Sequence, residues 1–246
     1  MSESLLAGST IASATTVHWY GRPSGDKLVL RAAPRPASWN RSSDPDWIAL
    51  REYLTETVDQ AMPLIPPTGP WAMCLEVGVP PNRALTTAAD LDNYAKPLAS
   101  ALPRERLIAV WCSKRHAESS HLVIGPAQRT SPPSDQIQVR TTASADTVNY
   151  KQQVRDALSG TAELVEGPVR LQIAFGVGPT RNWLNLWKPT IDALDPLLGR
   201  TYPDRDWHPR DDRIVDLGLQ VTVDPRLRFE VELSIAATAP SFPEPG

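Results

Sequence analysis

Two stretches of this 246-residue chain follow one plan, and that repeat limits what the chain can fold into more than any other feature. The segment "DWIALREYLTETVDQAM", residues 46–62, carries apolar positions at helical spacing. It leads through a proline-rich turn into the apolar strand "GPWAMCLEVGV", residues 69–79. In the same way "TVNYKQQVRDALSG", residues 147–160, leads into "GPVRLQIAFGV", residues 167–177. A loop and a second helix follow each strand: "DLDNYAKPLASAL", residues 90–102, and "NWLNLWKPTIDAL", residues 182–194. Asn93, Lys96, Pro97, Ala101 and Leu102 of the first match Asn185, Lys188, Pro189, Ala193 and Leu194 of the second. A Pro-Arg step then opens a strand in both halves, "PRERLIAVWC" from Pro103 and "PRDDRIVDLGLQVTV" from Pro209. Each half closes on a further apolar strand, "HLVIG" or "LRFEVELSI".

Strands and helices mix without a strict βαβ rhythm, so the expected class is α+β in two related units. Between the halves, "GPAQRTSPPSD" has the breakers of a linker, with the boundary near Pro132. The expected division is a disordered N-terminus at 1–15, a first domain at 16–126, a linker at 127–135, a second domain at 136–237 and a disordered tail at 238–246.

At 41% hydrophobic residues the chain can fill a core, and a net charge of −3 gives no overall basic field. A nucleic-acid partner would therefore need a local patch. Cys74 and Cys112 stand in apolar strand-like runs, as buried reduced thiols do, which fits a cytoplasmic protein. The N-terminus lacks a basic signal-type region, and no apolar run is long enough for a bilayer, so no membrane partner is expected.

The densest chemistry lies in "DLDNYAKPLASAL". Proline has no N–H and is best tolerated in a helix's first turn, so Pro97 predicts a start near Asn93, with Asn93 as the N-cap. Asp90 and Asp92 then fall in an extended approach, where residues two apart point the same way. Two converging carboxylates call for a cation, and Mg²⁺, a hard oxygen-seeking ion, suits them. Lys96 could balance the charge or hold a phosphate. The plainer alternative is acids favoured by the helix dipole, with Asp92 and Lys96 as a surface ion pair.

These residues resemble the RusA family of Holliday junction resolvases. Its pattern is an Asp-x-Asp-Asn-x-x-Lys helix start, an Asp-Ala-Leu helix end and a downstream Asp-Asp pair opening a strand. The resemblance spans roughly residues 46–124 and 147–235, so the chain looks like two RusA-like α/β sandwich-type units, each a small mixed sheet with helices, fused as an internal pseudo-dimer. It implies a Mg²⁺-dependent endodeoxyribonuclease, with Mn²⁺ as a substitute ion, acting on branched or duplex DNA. The carry-over is uneven. The first half keeps Asp90, Asp92, Asn93 and Lys96, but its downstream pair reads Glu105-Arg106. The second half has Asp211-Asp212 and Lys188, but its helix start reads Asn182-Trp183-Leu184-Asn185. Three arrangements are open. Asp90, Asp92 and Glu105 could hold metal in one asymmetric site. Asp211 and Asp212 could complete the first half's acids across the two halves. Or, with the cation Arg106 beside the acids, catalysis is lost and a DNA-binding or scaffolding module remains.

On the resemblance the catalytic set is Asp90, Asp92, Lys96, Asp211 and Asp212, and the DNA contacts are Lys96, Lys188, Arg205 and Arg210, with Asn93 and Asn185 as caps. "RTYPDRDWHPRDDR", residues 200–213, interleaves charge with Tyr202, Trp207 and His208, as a phosphate grip or a solvated loop would. Asp192 stands at the family's helix-end acid, with a local hydrogen-bonding role expected. Trp183 and Trp187, four apart, should share a helical face as core. His116 and His121 have no acid or cysteine at zinc-ligand spacing. Neither a phosphate-cradling glycine loop nor a nucleophile elbow is present.

Overall fold

The computed structural model describes residues 17–37 and 44–240. The stretches expected to be disordered, 1–15 and 241–246 of the tail, lie outside the described residues. In chain order the elements are β1 (Trp19–Tyr20), β2 (Leu28–Val29), α1 (Pro45–Ala61), β3 (Trp71–Val79), α2 (Leu91–Ala101), β4 (Leu107–His116), β5 (His121–Pro126), β6 (Arg129–Thr130), β7 (Ile137–Thr141), α3 (Val148–Ala157), β8 (Val169–Val177), α4 (Trp187–Asp192), α5 (Asp195–Leu198), β9 (Ile214–Val223) and β10 (Val231–Thr238). The class is α+β: a mixed eight-stranded sheet, a two-stranded sheet and five α-helices among the described residues. None of these helices is long and apolar enough to cross a membrane.

The large sheet runs β2-β5-β3-β4-β9-β8-β10-β7. Its two parallel pairs, β3 with β4 and β8 with β9, lie inside, and every other neighbour is antiparallel. Both parallel pairs skip one residue at their start. Trp71 faces Leu107 and Ala72 faces Ala109, which leaves out Ile108; Val169 faces Ile214 and Arg170 faces Asp216, which leaves out Val215. The two parallel pairs meet through β4 and β9, where Val110 faces Leu219, Trp111 faces Gly218 and Cys112 faces Leu217.

Alternation along the strands sends Trp71, Met73, Leu75 and Val77 of β3 into the main core, beneath the helices, while Ala72 and Cys74 face the other side. Helix α1 starts at Asp44, whose side chain accepts from the Asp46 N–H at 2.9 Å, with Pro45 in the first position where its missing donor is harmless. It buries Leu50, Tyr53, Thr57 and Ala61, one stripe of the predicted periodicity. Trp187 is fully buried, and its ring meets that of Trp183 edge-on at 5.1 Å, as their spacing predicts. Burying a large apolar side chain of this kind contributes about 1.5–3 kcal/mol.

The opposite face of the sheet is crossed by the N-terminal segment. The His18 N–H donates to Thr222 Oγ1 at 2.8 Å, Trp19 packs on Ala174 and Ala236, and Tyr20 packs on Ala72 and Ala109. Arg22 stacks 4.8 Å from the Trp111 ring centre, donates to Cys74 Sγ, and pairs with Asp216, which Arg170 also holds. The expected linker is drawn into this layer, since β6 pairs with β1.

Trp111 lies across Gly218 so closely that a Cβ there would meet the indole at 2.7 Å. Gly218→Ala should therefore lower stability by about 1–3 kcal/mol. A shift of the urea midpoint to lower concentration, at unchanged slope, checks it.

Candidate active site

Helix α2 begins earlier than Pro97 implies. Leu91 is its first residue and Asp90 its N-cap, while Asn93 sits inside the first turn. Asn93 is thus not the cap; its side-chain amide donates to Asp90 Oδ2 at 3.3 Å. Pro97 is tolerated seven residues in because the carbonyl it leaves without a helical donor, that of Asn93, accepts from the Ala37 N–H at 2.7 Å. In the other half the cap is Asn182, which accepts from the Leu184 N–H, and Asn185 lies inside the 3-10 turn Trp183–Leu186. There Pro189 falls in the first turn of α4, where its missing donor matters least.

The earlier start places Asp92 within α2 and buries it, rather than leaving it in an extended approach. The 3-10 turn Asp211–Arg213, just before β9, packs against the turn Leu85–Thr87 that precedes α2. Acids from distant parts of the chain thereby act on one another. Burial raises the Asp92 carboxyl from 3.8 to about 6, with Lys188 opposing and Asp90 and Asp211 reinforcing the rise. Asp90 is also raised, by burial and then by the charge of Asp211.

Two lysines stand among these acids. Lys188 of α4 pairs with Asp211 at 3.1 Å and with Asp192 at 3.0 Å, and Asp192 also takes Lys151 at 2.7 Å. Burial opposes the charge on Lys188, but Asp211, Asp92 and Asp192 outweigh it and hold its pKa above the usual lysine value. Lys114 of β4 is fully buried and points to the helix side in line with Val110 and Cys112. Its ammonium donates to the Ala88 carbonyl at 3.4 Å; burial lowers its pKa, with Asp90, Asp212 and Asp211 among the charges that oppose the fall. Its signal in the sequence was a lysine at an inward position of an alternating strand.

Other sequence-selected residues lie elsewhere. Among the described residues Lys96 makes no ion pair with Asp92, and Lys188 is the main cation acting on that acid. Arg106 is not a cation intruding on the acids: it donates to the carbonyls of Pro66 and Gly69 at 2.9 and 2.8 Å, tying down the loop before β3. Glu105 lines a different recess, with Arg104, Arg181 and Asn182. The guanidinium of Arg210 is held by both oxygens of Glu166, and that of Arg205 lies over the Tyr202 ring at 5.1 Å. Trp207, at positive φ, lies beside Lys151 and Arg155 at 5.9 and 5.4 Å, so much of residues 200–213 folds back on the protein.

As a donor set, Asp90, Asp92 and Asp211 offer the hard oxygens a Mg²⁺ ion takes, in a cluster with more negative than positive groups. Among the described residues no three of them already converge as ligands, and Lys188 holds Asp211. Compared with protein-family models and with curated proteins, the chain finds no match.

An acid with a folded pKa above its unfolded value destabilises the fold once it ionises. For Asp92 that penalty is absent below about pH 4, grows as pH rises towards 6 and is complete above it. In metal-free buffer Asp92→Asn should thus be about 2–3 kcal/mol more stable than the wild type at pH 7.5, with the gain vanishing below pH 4. Urea unfolding across that range checks it.

Proposed function

We propose that this protein is a metal-dependent endodeoxyribonuclease of the RusA type, two related units fused in one chain, cutting branched DNA at one composite site. The observation that carries this reading is the meeting of Asp90 and Asp92 with Asp211 and Lys188, groups about a hundred residues apart in the chain and drawn from both halves of the resemblance.

The fused-unit reading is supported by the sheet. Counted from the skipped residues Ile108 and Val215, Trp111 and Gly218 occupy the same place in their strands, and they face each other. The flanking pairs, Val110 with Leu219 and Cys112 with Leu217, interchange about that point, as partners across a two-fold axis do. On this count Arg106 answers to Arg213 and Glu105 to Asp212, one residue off the match that the Pro-Arg step implies. The two arginines also behave alike, since Arg213 donates to the carbonyls of Gly167 and Leu198 as Arg106 does to those of Pro66 and Gly69.

A divalent ion held by Asp90, Asp92 and Asp211 would supply an activated water and offset charge on the scissile phosphate. The chain's own groups supply the rest. Burial outweighs the help that Lys188 gives the charge of Asp92, which favours cation uptake. Lys188 and Lys114 bring positive charge to an anionic backbone that the acids alone would repel. The Lys188 pair with Asp211 favours a second reading, a DNA-binding protein whose acid cluster is neutralised internally and does not cut.

The wild type with Mg²⁺ should cleave a synthetic four-way junction, and Asp92→Asn should lower the rate at least about 10³-fold while binding is kept. Junction binding without cleavage by the wild type would establish the second reading, and loss of both would end the nucleic-acid role. With one acidic site, a supercoiled plasmid bearing a cruciform should yield nicked circles rather than linear DNA. Gel electrophoresis of early time points distinguishes the two.

A further inference from the structure

Resting on the fused-unit reading, the same correspondence can be applied to the acid cluster itself. Asp90 answers to Asn182, and, counted from Ile108 and Val215, Asp211 answers to Arg104, Asp212 to Glu105 and Lys114 to Val221. These four counterparts line one open recess, together with Thr180 and Arg181. A neighbouring recess shares Thr180, Arg181 and Asn182 and adds Arg228, beside the exposed ring of Phe229.

The two places have opposite electrostatics. The first gathers Asp90, Asp92, Asp192, Asp211 and Asp212 around Lys114 and Lys188. The second sets Arg104, Arg181 and Arg228 against Glu105 and Asp146. Where the first has metal-type aspartates, the second has an amide at Asn182 and a guanidinium at Arg104. Among the described residues Arg104 and Arg228 form no ion pair. Arg181 is positioned by donating to the Phe229 carbonyl. The backbone of Arg228 is packed against Gly178, where a Cβ would meet the Arg228 carbonyl oxygen at 2.0 Å.

We propose that these two adjoining recesses, joined through Thr180, Arg181 and Asn182, form a metal-free binding site for a phosphodiester of the nucleic-acid backbone, the non-cutting counterpart of the acidic site. Guanidinium forks suit phosphate, and the Asn182 amide and Thr180 hydroxyl can donate to the same oxygens. The protein would then hold two strands about its pseudo-axis and present only one of them to the acids.

The test is fluorescence anisotropy with a labelled four-way junction in EDTA, over a salt series, for the wild type, Arg104→Gln/Arg228→Gln and Arg181→Gln. The double variant removes two side chains without ion pairs and should fold as the wild type does, which circular dichroism verifies. Its affinity should fall about tenfold at 0.1 M salt, and its log K against log salt slope should become shallower by about 1 to 2, roughly 0.9 per lost phosphate contact. Arg181→Gln should weaken binding in the same direction. Wild-type affinity and slope in the double variant would overturn this site while leaving the acidic one standing. A wild type that shows no salt-sensitive binding would overturn both this proposal and the nuclease reading beneath it.

Discussion

The antiparallel pairing of β4 with β9 is the constraint on which the rest of the structure depends. Helix α2 leads directly into β4, and the turn carrying Asp211 leads directly into β9, so the pairing sets where both arrive. A slip of one residue would turn every side chain of one strand to the other face. A slip of β4 would take Lys114 from the acids, and a slip of β9 would take Asp216 from the arginines that hold it on the opposite side. Three features pin the register: Trp111 over Gly218, Arg22 bound at once to β3, β4 and β9, and the Leu217 and Leu219 side chains in the main core.

The separate helices and strands were legible because their signals are local, whereas the single eight-stranded sheet, in place of the two small sheets expected, depends on the pairing of β4 with β9. The α1 stripe, the apolar strands β3, β4, β8 and β9, and the turns between them follow from periodicity and from glycine and proline placement. The start of α2 was not, because Pro97 is accommodated by Ala37, a partner remote in sequence that no helix rule contains. Asn93 looked like a cap for the same reason.

The site divides along the same line. Asp90, Asp92 and Asp211 could be picked out by type and spacing, but their mutual approach is a property of strand pairing between the halves. Sequence places Arg106 beside the acids, but its carbonyl partners, Pro66 and Gly69, are contributed by a loop that its sequence neighbours do not reveal. Lys114 is masked by the apolar run around it, and Arg104 by its charged turn. Conversely, Arg210 stood out by charge, yet Glu166 already occupies its fork.

On the proposed fused-unit reading, Trp111 and Gly218 face each other at the pseudo-two-fold axis that would relate the halves. On a two-fold axis between identical chains, a residue that faces its own counterpart must face a copy of itself, so an indole would meet an indole or a hydrogen a hydrogen. A large ring lying in the gap left by glycine is open only to halves that carry different sequences. In the proposed fused chain, covalent linkage would permit that difference. It also makes the association of the halves independent of protein concentration, so dilution cannot separate the groups they share.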